Sequence, residues 1–514
     1  MAKYIGIDFG MQNLKVCYFD GTKNYKVDLE GNQQSSSKVS RNVVFYEENE
    51  EQILKKYFFS SQEAEEARIW LHPDYIRYIK RELQKENYFR SVCSGKYVFS
   101  ALQIITDIFS QVFLKMNESR YDITAPVILT VPVIFSEAQK EMLKFCAEKA
   151  GFQVSEIITE PFAVLFSEEI FDECVDEVED EDFVLIFDFG ASTLDICLIR
   201  ITNDDDLSVE TLSSTGLSFG GKDITDAITD FLMDKYSDVI DSVIKEGRLD
   251  EFAKVVTVFE KAEELKNQLY AEEDTPEAET KDLFYGYKKM ILKRTNVDKI
   301  LDSMGIWNKI EQAIEDMFDS TDEFDSDDFD IVSKIVMTGG TSKIQYFRDK
   351  LENLFGETEL IGDSEEDDVI YCSVSSGAVN FARQDNINIK NSSPMNIGIE
   401  IGHGFEKALN RNSVYNVCGK RKYISLRWLA ENNWKIKVYQ TLKSVREHSD
   451  INNEDILYAG YIQLNKDLYR TEEDDIVIQL KFTRQGVVAI TASAVDVQNI
   501  IENKIILKSE VKYE

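Results

Sequence analysis

The sequence predicts an α/β body built of two related halves, followed by a smaller all-β domain. Three observations carry that reading. A fifteen-residue pattern occurs twice, as IGIDFGMQNLKVCYF at 5–19 and LIFDFGASTLDICLI at 185–199. Apolar strand-like runs alternate with amphipathic helical stretches up to about residue 384. From 394 the chain changes to short segments of alternating hydrophobicity with no long helix. With 514 residues, more than one domain is expected, because a single core stops growing near ~250–300 residues.

Taken in order, each copy of the repeat reads as a strand ending in Asp, a tight glycine turn and a returning strand, hence a β-hairpin. At the fixed offset of 180, Asp8 matches Asp188, Phe9 matches Phe189, Gly10 matches Gly190, Leu14 matches Leu194 and Cys17 matches Cys197. Two such copies far apart predict two related halves of one unit. Ser136 with Gln139 forms a capping-box pattern for a helix that Gly151 closes. Residues 224–245 and 251–270 read as amphipathic helices, and 184–190 and 334–340 as buried strands running into glycine turns. The mixture is α/β. The acidic runs at 168–182 and 322–330 read as solvated loops. Residues 385–393 read as a polar linker. NIGIEI, YISLRWLA, WKIKVYQ, ILYAGYIQL and DIVIQLKF then alternate as in a β-sandwich over 394–514.

Composition narrows the function. A net charge of -36 opposes binding to nucleic-acid backbones and to anionic membrane surfaces. The longest apolar run, near 127–135, is too short to span a bilayer. The N-terminus enters a strand-like run at once, so no signal peptide is expected. Seven cysteines without a CxxC pair fit a reducing, cytoplasmic location. Three scattered histidines disfavour a histidine metal site.

Two facing glycine hairpins can hold a polyphosphate through backbone N–H groups, without basic side chains. Asp8, Asp188 and Asp195 then stand where carboxylates hold Mg²⁺ through its waters. The repeated D-F-G is no sign of a protein kinase, since no Gly-rich loop or H-R-D loop accompanies it.

These residues resemble the seventy-kilodalton heat-shock chaperones, within the actin and sugar-kinase ATPase superfamily. The likeness runs over nearly the whole chain. IGIDFGMQN and DFGASTLD resemble the two phosphate loops, and ARIWLHPDYIRYIKREL (67–83) the segment with a catalytic lysine. The 131–166 stretch, VPVIFSEAQKEMLKFCAEKAGFQVSEIITEPFAVLF, is the most specific match. FGGKDITD (219–226), MTGGTSKI (337–344) and SSGAVNFA (375–382) resemble turns near the nucleotide and the last ATPase helix. The resemblance implies an actin-like two-lobed ATPase domain over 1–384, a linker over 385–393 and a peptide-binding β-sandwich over 394–514.

It further implies ATP/ADP with Mg²⁺. Lys80, Glu160, Asp188 and Thr193 would be the catalytic set, and Asp8, Asp188 and Asp195 the metal shell. Gly10, Met11, Gln12, Gly190, Ala191 and Ser192 would line the phosphates. Gly220, Gly221, Glu263, Lys266, Gly339, Gly340 and Lys343 would complete the nucleotide site. Pro132 and Lys140 match a pair linked to interdomain signalling. A polypeptide client would meet Ile399, Ile401, Trp434 and Ile436, and a J-domain protein and a nucleotide exchange factor would be partners.

Several positions depart from the family. Met11 and Gln12 stand in place of two threonines, and Ala191 and Ser192 in place of two glycines. Lys343 stands for an adenine-stacking arginine and Tyr270 for a serine. Trp434 falls at a small pocket residue and Gly402 at a bulky one that arches over the peptide. The linker offers only Ile387 and Ile389. The sandwich would finish near Glu514, so no helical lid is expected. The leading expectation is a chaperone-like, slowly hydrolysing ATPase whose nucleotide state controls the β-domain. The alternative is a hydrolysis-poor, nucleotide-gated scaffold or co-chaperone; a small-molecule kinase or filament protein is a third reading.

Overall fold

Both repeated segments fold as antiparallel hairpins. Tyr4–Phe9 pairs with Asn13–Phe19 so that Asp8 faces Lys15. Glu181–Phe189 pairs with Leu194–Asn203 so that Asp188 faces Asp195. The register is the same in both, as the offset of 180 requires. The computed structural model describes residues 2–505 except 31–38, 60–68, 85–87, 176–177, 179, 204–206, 272–274, 322, 357, 363–366, 385–386, 402–403, 415–417, 443–448, 452–455, 466–474, 483–487 and 495–501. Gly402 and the end of the chain near Glu514 lie outside the described residues.

Each hairpin seeds a six-stranded sheet. Its first strand takes a parallel neighbour on the other side, Pro126–Val131 in one sheet and Val332–Thr338 in the other. These strands are almost wholly buried, which is why they read as apolar runs rather than alternating ones. The helix Asp367–Phe381 packs into this body. Gly377 lets its backbone approach Ala163, and Gly6 lets the first strand approach Ser375: a Cβ would lie 1.8 Å from Ala163 O in one case and 2.3 Å from Ser375 O in the other. The Ser136 cap forms as its sequence requires, with Gln139 N–H donating to Ser136 Oγ (3.2 Å) and Ser136 N–H to Gln139 Oε1 (2.8 Å). The stretch 224–245 divides into two helices, Gly221–Lys235 and Ser237–Lys245, which meet at Tyr236.

The described part of the segment read as a polar linker packs onto the second sheet. Asn388–Lys390 joins the second sheet as its sixth strand, parallel to Ser208–Glu210. Ile387 and Ile389 pack against the buried cluster that holds Val209 and Phe381. Two isoleucines at period two suffice, since only one face of an edge strand needs an apolar surface.

The C-terminal strands form a five-stranded and a four-stranded sheet around one core containing Ile397, Ile399, Ile436, Val438, Ile476 and Ile478. One segment differs from expectation. YISLRWLA is a strand only over Lys422–Ser425 and then becomes the helix Leu426–Glu431. Ser425 caps that helix by accepting the Trp428 N–H at 3.2 Å. Trp434 therefore precedes its strand, Lys435–Thr441, at a left-handed φ of 59°.

The sandwich touches both halves of the larger body. Glu137 N–H donates to Gln440 Oε1 at 2.9 Å. Arg411 donates to Ser214 O (2.7 Å) and Ser213 Oγ (3.2 Å), and Asn412 Nδ2 to Ser320 O (2.8 Å). Lys140 is buried beside this contact and paired with Glu137 at 2.8 Å.

Candidate functional site

The two hairpin turns open onto one cavity of about 490 Å³. That size suits a small organic ligand. It is lined by Asp8, Gly10, Met11 and Gln12 from the first hairpin and by Asp188, Gly190, Ala191, Ser192 and Thr193 from the second. Lys80, Glu160, Gly221, Lys266, Gly339, Gly340 and Lys343 also reach it. Of the residues expected at the nucleotide and metal, Gly220, Glu263 and Asp195 do not line the cavity wall. Asp195 stands behind the floor, where its Oδ1 accepts the Val133 N–H at 2.6 Å. Gly220 backs the second turn: a Cβ there would come within 2.4 Å of Ser192 N. Glu263 accepts from Gln12 Nε2 at 2.5 Å, across the cleft.

Each turn is held by neighbours. In the second, Gly190 N–H donates to Thr193 O (3.0 Å), Gly221 N–H to Gly190 O (3.1 Å) and Thr341 Oγ1 to Gly190 O (2.8 Å). Gly339 carries a φ of +81°, and a Cβ there would strike Phe189 O at 2.4 Å, so glycine is required. In the first, Asn42 donates through Nδ2 to Gly10 O and through its backbone to Gln12 O, both at 2.7 Å. The cleft is also bridged by Arg81 with Asp223 (2.9 Å) and by Arg77 with Glu260.

The charged groups converge on the floor. Lys80 lies on the short turn Ile79–Gln84, and its Nζ donates to Glu160 Oε1 at 2.7 Å. Glu160 opens a helix immediately after a strand, with Pro161 setting the first turn. Burial pushes the Glu160 carboxyl upward, against the pull of Lys80. Burial, then the charges of Glu160 and Asp195, raise Asp188 well above the carboxylate range. Burial and the Glu160 charge bring Asp195 up to about 7. Lys15 Nζ donates to Asp8 Oδ2 at 2.6 Å; burial opposes its charge, but the Asp8 carboxylate prevails and raises it. Lys266 is lowered by burial and donates to Gly221 O (2.9 Å) and Thr225 Oγ1 (2.7 Å).

Sequence reasoning missed Lys15, Asn42 and Thr341. Lys15 had a signal: the repeat makes it the counterpart of Asp195. Thr341 lies in the MTGGTSKI turn already placed near the nucleotide, but neither it nor Asn42 signalled its partner, a backbone carbonyl distant in sequence.

Carboxyls that burial first, and one another's charge second, hold above the usual range would be relieved by a divalent cation nearby. Among the described residues no three metal-binding side chains stand close enough to grip an ion by themselves. Tyr270 lines the far wall, and its buried hydroxyl has no partner among the described residues. A ligand hydroxyl or ring nitrogen would satisfy it.

In the β-domain, Ile399 and Ile436 are fully buried in the sandwich core, while Ile401 and Trp434 are part-exposed at its margin. The first two offer no surface to a peptide in this arrangement.

A duplicated hairpin cradle between two sheets, joined to a β-sandwich, defines an actin-like two-lobed domain with a β-domain appended. The family model described as Hsp70 protein matches residues 72–512, and the chain belongs to that family. It is similar to the protein named "Chaperone protein DnaK" from two strains of Halobacterium salinarum, R1 and NRC-1. Each is 23% identical over 390 residues, covering 74% of this chain and 58% of the relative. The chain thus matches somewhat over half the length of these curated relatives. No helix among the described residues is long and apolar enough to cross a membrane.

Proposed function

We infer that the chain is a chaperone-like ATPase, with 1–384 as the nucleotide-binding domain, 385–393 as the linker and 394–514 as the β-domain. ATP or ADP binds between the lobes, with its phosphates against the turns at Gly10–Gln12 and Gly190–Thr193. The observation that carries this is the convergence of both turns, the Lys80–Glu160 pair and Asp8 and Asp188 on one cavity. Asp8, Asp188 and Asp195 would hold Mg²⁺ through its waters, and the ion would supply charge neutralisation at the phosphates. Lys80, held by Glu160, positions an ammonium toward the terminal phosphate. Asp188 faces the attacking water and Thr193 the same phosphate.

Hydrolysis is slow in this reading, because Ala191 and Ser192 crowd the close approach of phosphate to backbone. Nucleotide state shifts the lobes, and the lobes shift the docked β-domain and its hold on a polypeptide client. Such coupling requires differential affinity of the client for the two states. A J-domain protein and a nucleotide exchange factor are the partners this cycle calls for, in the cytoplasm.

The test is single-turnover hydrolysis of γ-labelled ATP with Mg²⁺ by the full chain, against Lys80→Ala. Loss of roughly 10²-fold or more is expected, the usual weight of one positioned charged group. Unchanged turnover would remove Lys80 from the mechanism. A second reading is favoured by the buried Ile399 and Ile436 and by Met11 at the first turn: a nucleotide-gated scaffold or co-chaperone that binds ATP without turnover. Tight binding with no hydrolysis in the same assay would decide for it.

A further inference from the structure

Lys15 is the counterpart of Asp195 in the duplicated hairpins. The offset of 180 relates them, and the strand registers pair Asp8 with Lys15 and Asp188 with Asp195. The two halves of the cavity floor therefore differ in charge. The second half has Asp188 at the floor and Asp195 buried behind it, with no lysine between them. The first presents an ion pair, with Lys15 Nζ 2.6 Å from Asp8 Oδ2.

The exposure of the pair is unequal. The Lys15 side chain keeps 16% of its surface and that of Asp8 only 4%, and both line the cavity. An ammonium carries three donors. Asp8 takes one, and among the described residues no other protein acceptor takes a second. Lys80, the other lysine at the floor, is more enclosed: its side chain is 6% exposed, bonded to Glu160 and 5.3 Å from the Phe135 ring centroid. Lys15 is thus the more open ammonium of the floor, with donors left for a ligand. A divalent ion placed directly against Asp8 would also meet the Lys15 charge at close range, where like charges repel strongly in a low dielectric.

We propose that Lys15 is a resident phosphate-binding cation, which holds the nucleotide polyphosphate from the first-hairpin side and neutralises Asp8, so that Mg²⁺ reaches Asp8 only through its waters. The inference rests on the nucleotide reading above and deepens it. Its consequence is that ATP binding depends less on metal than a floor of carboxylates alone would allow. Ammonium–phosphate bonds are charge-assisted and strong.

The experiment is calorimetric titration of the full-length protein with ATP, once with Mg²⁺ and once with EDTA. Wild type is expected to bind metal-free ATP within about tenfold of its affinity with Mg²⁺. Lys15→Met should lose roughly 10- to 100-fold in EDTA, the weight of one charge-assisted hydrogen bond, and far less with Mg²⁺. Lys15→Arg should retain the metal-free binding. Because Lys15→Met leaves Asp8 buried without its partner, the double variant Asp8→Asn/Lys15→Met removes both charges and is expected to show the same loss in EDTA. Wild type that needs Mg²⁺ to bind at all overturns the proposal. So do folded Lys15→Met or double variants that bind metal-free ATP as tightly as wild type. Wild type that binds no nucleotide under either condition removes the nucleotide reading itself, and this inference with it.

Discussion

The backbone amide of Glu137 donates to the side-chain oxygen of Gln440 at 2.9 Å, joining a helix start in the first lobe to the β-domain. Arg411 and Asn412 make the matching contacts with the second lobe. The β-domain therefore rests on both lobes at once. A change in the angle between the lobes would load one set of bonds or the other.

Arg411 is the anchor most open to test. Burial draws its guanidinium down to about 10, and it is held by Ser214 O, Ser213 Oγ and Leu442 O at 2.7, 3.2 and 2.9 Å. Removing a buried charged donor that serves carbonyls costs about 1.5–3 kcal/mol of the docked state. Arg411→Ala should enlarge the radius of gyration in X-ray scattering and speed proteolysis between 384 and 394. An unchanged scattering profile and cleavage rate would show that Arg411 does not hold the domains together.

The linker strand makes a second prediction. Asn388–Lys390 is an edge strand, held by its ladder with Ser208–Glu210 and by Ile387 and Ile389. Ile389→Asp exchanges a part-buried apolar side chain for a charge, costing about 1–3 kcal/mol. Hydrogen exchange of the 384–394 segment should accelerate while the two hairpins stay protected. Equal protection in wild type and variant would mean that the ladder alone secures the strand.

Much of this architecture was legible in the sequence, where the signal is local. The hairpins stood out because a buried strand, an Asp and a glycine turn occur twice in one register. The Ser136 cap was legible because capping is a matter of four residues. The helix Leu426–Glu431 was missed because YISLRWLA alternates well enough to pass for a strand; Ser425 was the available cap signal. The strand at Asn388–Lys390 was missed because its partner edge lies some 180 residues earlier. Ile399 and Ile436 were placed in strands correctly, but which face of a strand turns inward depends on distant partners. At the cavity, Lys15 carried only the signal of its place in the repeat, as the counterpart of Asp195.

Gly377 ties the last helix of the ATPase-like body to the site. A Cβ there would lie 1.8 Å from Ala163 O and 2.8 Å from Ala163 C, backbone atoms that cannot step aside alone. Ala163 belongs to the helix that Glu160 opens, so a displaced helix moves the partner of Lys80. Gly377→Ala should cost about 1–3 kcal/mol in urea unfolding and should weaken nucleotide binding as well. Wild-type stability in this variant would mean that the two helices separate freely.

The buried thiols set the alkaline limit of stability. Burial pushes Cys17, Cys146, Cys174 and Cys197 up to about 12. An unfolded thiol loses its proton near ~8.5. Between that pH and 12 the native state binds more protons than the unfolded one, so stability is highest below the unfolded value and falls as pH rises through the window. Each thiol contributes a slope of about 1.4 kcal/mol per pH unit, and four together about 5–6. The guanidinium midpoint should therefore drop steeply from pH 8.5 to 10.5, and Cys174→Ala/Cys197→Ala should remove about half of the thiol contribution to that slope. Thiol labelling of the native protein gives an independent reading. Cys418, which is exposed, should react at once, half-buried Cys93 more slowly, and the five buried cysteines only on unfolding. A midpoint that stays level across this range, or rapid labelling of more than two thiols at neutral pH, would mean that these side chains are open to solvent in the folded chain.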